Sequence, residues 1–243
     1  MASYSNILSD IKIYTESKNS AIKSALQYRC PLSAEDYNNK NILYSQYIIN
    51  IVSLIDILSD HQYEFNNDFV IRLKKSFSFT SRYDAENNIS YLRNLRHSIV
   101  HRGLNICSAC HVFENFPMII APEIVTNYSG KNSYAPFEFY LIKIIHEYEE
   151  VIGKIIFEHL DHIGILKQQL TKEHAIVNYI SETLKSNVMP LNIKLISLAF
   201  VDSIDFVSVQ DELISSLVSL LQRNIINECG LPHAIYNLLK TSR

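Results

Sequence analysis

Glycine and proline are scarce in this chain, and no other sequence feature constrains its fold as strongly. Among 243 residues there are 5 Gly and 6 Pro. Together they make up roughly 4.5%, against an average of about 12% in soluble proteins. Because these residues supply the tight turns between strands, a protein of many strands needs more of them. The composition argues against an all-β or doubly wound α/β fold and favours helices.

The spacing of apolar residues predicts most of these helices. After Ser33, which is placed to cap a helix, apolar residues recur every three or four positions, and this spacing puts side chains on one helical face. The residues of this stripe are Tyr44, Ile48, Ile51, Ile55 and Leu58. We expect helices over about residues 4–27, 33–58, 66–79 and 84–102, a long helix from Pro136, and two or three more after Gly164.

The pattern changes between residues 104 and 135. Prolines, a glycine and several Asn and Ser residues separate short apolar runs there, as is typical of a loop or a β-hairpin. We therefore predict an all-α helical bundle with an irregular or small β-hairpin insertion around residues 104–135. Residues 1–163 are expected to form the main domain. Residues 164–243 are expected to form a C-terminal helical extension, either separate or part of the same domain.

Two further expectations concern this extension. Its last long helix is predicted to open at Ser208, with Asp211 completing a capping box. The most apolar stretch of the chain, residues 191–209, contains Lys194, Asp202 and Asp205. Charged groups are costly in hydrocarbon, so this stretch is predicted to be a buried helix rather than a membrane span.

Charge and cysteine content limit the class of protein. A net charge of −3 argues against a surface that binds nucleic acid or membranes through a broad basic field, but it leaves room for a local basic site. The N-terminal sequence lacks the basic leader and apolar core of a secretory signal. With four cysteines in such a chain, we expect reduced thiols and a cytoplasmic location.

A basic cluster lies at the end of the helix predicted to finish at Arg102. From Leu92 to Gly103 the sequence contains three arginines and two histidines but no acid. A helix that turns by 100° per residue separates this segment into an apolar face and a polar face. The apolar face comprises Ile89, Leu92, Leu95 and Ile99, and the polar face comprises Arg93, Asn94, His97 and His101.

Arg96 does not fit this separation, because it falls about 40° from Leu92 on the apolar side. An unpaired guanidinium is costly to bury, so Arg96 needs a partner or a protein-lined cleft. One interpretation is a solvated basic helix end, stabilised by the negative pole of the helix dipole. It accounts for Arg102 but not for Arg96. The other is an anion site, in which arginine binds phosphate and histidine exchanges protons near neutral pH.

The six residues Arg96-His97-Ser98-Ile99-Val100-His101 resemble the R-polar-x-x-x-H signature of the HEPN superfamily. In that signature an arginine followed by Asn, Asp or His precedes a histidine near a helix end. Leu95 and the trailing Arg102-Gly103 are also similar to the family, whereas His97 stands where Asn is more usual. The resemblance covers six of 243 residues. It implies a HEPN-like helical bundle and metal-independent RNA cleavage at a site that two protomers form together.

The chemistry of RNA cleavage assigns roles to these residues. A base must remove the 2′-hydroxyl proton, an acid must protonate the leaving 5′-oxygen, and positive charge must stabilise the phosphorane. Two copies of His101 would supply the base and the acid, two copies of Arg96 the charge, and His97 would orient the phosphate. Further candidates, for substrate binding, are Arg93, Asn94 and Arg102.

The resemblance also implies a biological setting. It indicates a homodimeric endoribonuclease, a toxin or abortive-infection effector in antiviral defence, that acts on RNA without a cofactor or metal and away from membranes. An antitoxin or other regulatory protein is an expected partner. The alternative is a catalytically inactive HEPN-like module that binds nucleotide, RNA or protein.

A zinc site is a competing interpretation of the same segment. His97 and His101 are four residues apart, a spacing that two metal ligands use on a helix, and Cys107 and Cys110 form a C-x-x-C pair. The four together would make a His₂Cys₂ site. The chain would have to fold back after Gly103 to bring them together.

Overall fold

Helices dominate the computed structural model, which describes residues 4–60, 65–79, 83–167 and 171–240, with side chains from residue 7 onward. Of the described residues, 68% are helical, which confirms a mostly helical fold with a small β insertion. The α-helices are α1 (Tyr4–Ala25), α2 (Ala34–Leu58), α3 (Asn66–Ser76), α4 (Ala85–Arg102), α5 (Leu141–His162), α6 (Lys172–Lys185), α7 (Leu191–Ala199), α8 (Phe206–Leu221) and α9 (His233–Lys240).

The β insertion joins α4 to α5 and consists of two antiparallel hairpins. Strand β1 (Cys110–Phe113) pairs with β2 (Phe116–Ile119), and β3 (Val125–Thr126) pairs with β4 (Ser133–Tyr134). In the first hairpin, Val112 lies opposite Pro117. The structure confirms the place and type of the predicted insertion, although the insertion contains two hairpins.

Helix α5 begins at Leu141 and not at Pro136 as predicted. The segment before it is not helical and belongs to the insertion: residues 137–139 form a bend, and Tyr140 is extended. The N–H of Ala121 donates to the carbonyl of Phe139 at 2.9 Å, and Tyr140 forms a β-bridge with Ile120. These contacts hold Phe139 and Tyr140 against residues 120–121, so the helix begins only after residue 140.

Side-chain caps set the starts of the helices. Ser33 caps α2 as predicted: its hydroxyl accepts from the N–H of Asp36 at 3.0 Å, and Asp36 accepts from the N–H of Ser33 at 3.2 Å. The predicted cap at Ser208 is wrong. Helix α8 begins at Phe206, and Asp205 accepts the N–H of Ser208 at 3.1 Å. Asp205 caps the helix in place of Ser208, because its carboxylate accepts a free N–H of the first helical turn.

The prediction of a buried helix over residues 191–209 is also wrong. This stretch is divided into α7, a 3₁₀ turn over Val201–Ser203 and the first turn of α8. No residue of α7 is buried. Asp205 caps a new helix, so the stretch does not form one continuous helix.

Helix α2 forms the centre of the apolar core. It packs against α1 and α4, and its buried apolar residues, each no more than 1% exposed, are Tyr44, Tyr47, Ile48, Ile51, Val52, Leu54, Ile55 and Leu58. By length and composition alone, α2 would be able to cross a membrane. A core helix covered by its own chain passes the same test, and the packing of α2 fits that description.

The C-terminal residues pack in two different ways. Helix α8 packs against α1 and α5, and buried side chains of α8, residues 225–226 and α9 belong to the same core as the first 163 residues. Helix α6 packs on α8, and α7 packs on α6 and on the turn at residues 201–203. Part of the C-terminal extension thus completes the main core, while α7 lies outside it.

An ion pair lies inside the core where three helices meet. Lys18 on α1 places its Nζ 2.8 Å from both carboxylate oxygens of Glu149 on α5. The hydroxyl of Tyr47 on α2 donates to the same carboxylate at 2.7 Å. All three side chains are buried. Burial, and then the negative charge of Glu149, raise the pKa of Tyr47 well above its usual range, so its hydroxyl remains a donor.

Gly153 allows α5 and α8 to approach each other closely. A Cβ at position 153 would lie 2.1 Å from the carbonyl oxygen of Leu221 and 3.1 Å from its carbonyl carbon. Both atoms belong to the backbone, so no side-chain rotation relieves the contact. The two helices would have to move apart.

We predict that Gly153→Ala lowers the free energy of unfolding by about 1–3 kcal/mol, the usual cost of overpacking a core. This loss should exceed the gain of about 1 kcal/mol that alanine brings to a helix interior. Urea unfolding at equilibrium measures the difference. Lys154→Ala, at an exposed position on the same helix, is the control for helix propensity. An alanine variant at 153 as stable as the native chain would contradict the close approach.

Candidate functional site

The basic motif lies on the last two turns of α4. The helix starts at Asp84, whose carboxylate accepts the N–H of Asn87 at 2.8 Å. It ends at Gly103 in the left-handed conformation, with φ at 63°, as the sequence predicts. The N–H groups of Gly103 and Leu104 both donate to the carbonyl of Ser98. The chain turns sharply there, which leaves His101 and Arg102 at the helix end.

The two predicted faces of α4 are present in the structure. Leu92 and Leu95 are fully buried, Ile89 is buried and Ile99 packs half-buried against the core. On the polar side, the exposed residues are Arg93 and His101, and the half-buried ones are Asn94 and His97.

Arg96 is half-buried, and one nitrogen of its guanidinium lacks a partner. Its Nε is buried and has no hydrogen-bond partner among the residues that the structure describes. An unpaired buried donor costs about 1–3 kcal/mol, and more when it is charged. The sequence predicts that Arg96 needs a partner or a cleft. No such partner is found within the described part of one chain.

The two motif histidines lie side by side. The ring centroids of His97 and His101 are 4.7 Å apart, with an angle of 40° between the ring planes. Partial burial, and then the positive charges of His101, Arg102 and Arg96, lower the pKa of His97. His97 is therefore a neutral imidazole at pH 7, able to donate one hydrogen bond and accept another.

Arg102 fixes the second hairpin against the motif. Its guanidinium donates to the hydroxyl of Thr126 and, at 2.8 Å, to the carbonyl of Asn127. These contacts place the ring of Tyr128 against His97, with centroids 5.6 Å apart and the two rings edge to face. The site thus includes a residue from the turn between β3 and β4.

The three candidate substrate-binding residues all have intramolecular partners. Arg93 lies 3.1 Å from a carboxylate oxygen of Asp56 on α2. Asn94 donates to the carbonyl of Ser90 at 2.8 Å, and Arg102 binds the hairpin as described. The structure places His97 and His101 side by side, and the charge of Arg96 acts on His97. Of the motif arginines it is Arg96 that has a buried donor without a partner among the described residues.

The competing interpretation, a His₂Cys₂ zinc site, is not supported by the structure. Among residues 4–60, 65–79, 83–167 and 171–240, no group of three or more His, Cys, Asp or Glu side chains is arranged to hold a metal ion. Cys107 is buried, and burial raises the pKa of its thiol to about 12, so the thiol stays protonated. Cys110 is exposed on β1. The turn after Gly103 directs Cys107 into the core and away from the histidines.

Tyr128 is the site residue that sequence reasoning missed. It lies 27 positions beyond His101, and it belongs to no periodic run of apolar residues. The sequence does indicate a turn here, because Asn127, Ser129 and Gly130 are typical turn residues. Its contact with His97 depends on Arg102, which the sequence assigns to substrate instead.

Comparisons with known proteins identify no relative of this chain. Neither a protein-family model nor a curated protein nor a solved structure gives a significant match. The geometry of the chain itself must therefore carry the functional argument.

We predict that Arg96→Met leaves the free energy of unfolding unchanged or raises it by about 1 kcal/mol, because methionine fills the volume of the arginine stem without a buried unpaired donor. Arg93→Met, which removes a paired and exposed guanidinium, should lower it by less than about 1 kcal/mol. Urea unfolding measures both, at a concentration where sedimentation shows a monomer. A loss of more than about 2 kcal/mol in Arg96→Met would mean that Arg96 is satisfied within one chain.

Proposed function

We propose that this protein is a metal-independent endoribonuclease of HEPN type, a toxin or abortive-infection effector that acts on RNA as a homodimer. The observation that carries the proposal is the unpaired, buried Nε of Arg96 beside two adjacent imidazoles at one helix end. A buried donor without a partner is a cost to the fold, and such costs occur mainly at functional sites. The resemblance of Arg96–His101 to the HEPN signature points to the same segment.

The reaction follows from the groups present. One His101 imidazole removes the proton from the ribose 2′-hydroxyl, and the 2′-oxygen attacks the adjacent phosphorus. The bond from phosphorus to the 5′-oxygen breaks, and a second His101, in the imidazolium form, gives its proton to the leaving oxygen. The products are a 2′,3′-cyclic phosphate and a 5′-hydroxyl. Arg96 stabilises the negative charge that develops on the phosphorane.

His97 acts as a neutral hydrogen-bond donor in this scheme. The lowered pKa of His97 keeps it uncharged at pH 7, so it can orient a phosphate oxygen without competing for the proton that His101 transfers. This role is close to that of Asn, the residue more usual at this position in the HEPN signature. We therefore place His97 in phosphate positioning.

Two copies of α4 are needed for the complete site. One chain supplies one exposed His101 and one Arg96, whereas the reaction requires both a base and an acid. Val100, one helical turn beyond Arg96 and on the same face, is 46% exposed, which is consistent with an interface there. We propose that a twofold axis lies near this face and that both copies of Arg96 and His101 meet at one phosphate across it.

The remaining features of the proposal rest on the resemblance. We expect the protein to act in the cytoplasm on cellular or phage RNA, away from membranes, and to be restrained by an antitoxin or other regulatory protein. The competing proposal is a catalytically inactive HEPN-like module that binds nucleotide, RNA or protein. Arg93 is paired with Asp56, and Arg102 binds the second hairpin. These contacts favour the inactive module, because fewer cations remain free to bind a substrate.

We predict that the purified protein cleaves RNA in the presence of EDTA, and that Arg96→Ala and His101→Ala each reduce the rate about 100-fold or more, as expected for loss of a charge-stabilising or proton-transfer group. His97→Asn should retain activity, because asparagine also donates a hydrogen bond. Arg93→Ala, on the same helix and paired to Asp56, is the matched control and should cleave within a few fold of the native rate. Gel analysis of a labelled RNA measures all four.

The outcomes separate the competing accounts. Cleavage that survives both Arg96→Ala and His101→Ala would reject this site. Inhibition by EDTA would indicate a metal-dependent mechanism. RNA binding that depends on Arg96, without cleavage by the native protein, would identify the inactive binding module.

A further inference from the structure

Tyr128 is exposed to an unusual degree for an aromatic residue. Its relative exposure is 86%, although tyrosine is normally at least half-buried. It lies in the turn that joins β3 to β4, next to the motif end of α4. An exposed ring has no role in the core, so its position calls for another explanation.

The turn that carries Tyr128 is held in place at both ends. Asn127 and Asn132 are hydrogen-bonded through their backbones at 3.0 Å, and the N–H of Gly130 donates to the carbonyl of Asn127 at 3.0 Å. From outside the turn, Arg102 donates to the carbonyl of Asn127 at 2.8 Å. The ring of Tyr128 is thereby kept beside the two histidines.

The contact with His97 leaves much of the tyrosine ring free. The two ring planes meet at 74°, so this contact is edge to face and not a stack. With 86% of the residue exposed, a planar group is able to lie on the ring. A base stacked there would lie close to a phosphate bound at His97, because the ring centroids of Tyr128 and His97 are 5.6 Å apart.

We propose that Tyr128 stacks on an unpaired base next to the scissile phosphate, which makes single-stranded RNA the substrate class of this site. The proposal rests on the nuclease function proposed above. Stacking of a base on an aromatic side chain is worth about 1–3 kcal/mol and tolerates any base. In a duplex the bases are already stacked and paired, so the ring would have no base to bind. The site therefore selects unpaired segments without reading their sequence.

The test compares Tyr128→Ala with Tyr128→Phe, which keeps the stacking face. Phe113→Ala removes a 47% exposed aromatic side chain from the other hairpin and is the matched control. Binding of a short single-stranded RNA is measured by fluorescence anisotropy in a His101→Ala background, where cleavage does not interfere. Cleavage of single-stranded and fully paired RNA is measured separately with His101 intact.

Tyr128→Ala removes the ring on which the base stacks, so it should weaken both binding and cleavage of single-stranded RNA about tenfold. Tyr128→Phe and Phe113→Ala should stay within about twofold, and paired RNA should be a poor substrate. If Tyr128→Ala binds and cleaves normally, stacking is wrong and the nuclease stands. If the native protein binds RNA through Tyr128 but does not cleave, the nuclease is wrong and stacking stands. An absence of both binding and cleavage overturns both.

A second, independent observation concerns α7 and the residues beside it, which form the α7 surface. Its most exposed apolar side chains are those of Val188, Leu191, Leu195, Ile196 and Phe200, with exposures of 93%, 72%, 60%, 54% and 63%. Together they expose apolar surface on the order of several hundred Å², the size of the largest apolar patch on a typical monomer, which is often functional. This area approaches the 800 Å² that each partner contributes to a standard interface.

The charge of the α7 surface favours a second copy of the chain as its occupant. Lys194 is the basic residue of α7, and its Nζ is engaged with the carbonyl of Leu184 at 3.0 Å. No basic cluster is present within residues 186–209 to bind an anionic lipid surface. Lys194 is the charged residue within residues 186–200, so two identical apolar surfaces related by a twofold axis oppose few like charges. We infer that the α7 surface joins two copies of this chain.

This interface differs from the one proposed at the motif. Helix α7 packs on α6 and the turn at residues 201–203, whereas α4 packs on α2, α3, β3 and β4. A chain that uses both twofold interfaces forms an assembly of more than two copies. The α7 surface can thus be removed without altering the site on α4.

Sedimentation equilibrium tests this interface with the double variant Leu191→Asp, Leu195→Asp. Neither side chain is buried, so the fold should persist, which far-UV circular dichroism checks. We expect the molar mass of the assembly to fall by half, while Ile124→Asp, at a 65% exposed position in the β insertion, leaves it unchanged. Equal masses for the native chain and the double variant, or a native chain that stays monomeric at every concentration, would overturn the inference.

Discussion

The buried ion pair between Lys18 and Glu149 is the interaction on which the arrangement of the helices depends. With the hydroxyl of Tyr47 it ties α1, α2 and α5 together at one point. A buried charge that loses its partner costs about 3–5 kcal/mol, so this contact penalises any register of the three helices other than the native one. Helix α2, fixed in this way, presents the surface on which α4 packs.

The same core leaves the buried Nε of Arg96 without a hydrogen-bond partner among the described residues, at the place where the function is proposed. Leu92 and Leu95 anchor α4 in the core, and this anchoring sets the rotation of the helix, which turns Arg96 toward a half-buried position. Gly103 ends the helix, and Arg102 then fixes the hairpin beside the histidines. Stability alone would favour an apolar residue at position 96. An arginine at this position is explained if phosphate and a second chain provide the missing hydrogen-bond partner.

Local features of the sequence predict local structure well. The apolar stripe of α2, the cap at Ser33, the stop at Gly103 and the hairpin insertion all depend on residues near one another in the chain. Contacts between distant positions were not predictable in this way. Lys18 and Glu149 are 131 positions apart, and Tyr128 meets His97 through a turn held by Arg102. The exposure of α7 was missed because an apolar composition predicts burial but does not say which surface provides it.

The most direct test of the account is the distance between two copies of α4 in solution. A spin label at Val100→Cys, with Cys30 and Cys110 changed to serine, reports this distance by pulsed electron paramagnetic resonance. The account predicts a separation of about 20 Å, the width of two adjacent helices, because both copies of Arg96 and His101 serve one phosphate. A dimer whose labels are separated by more than twice that distance, or a protein with no coupling between labels, would contradict it.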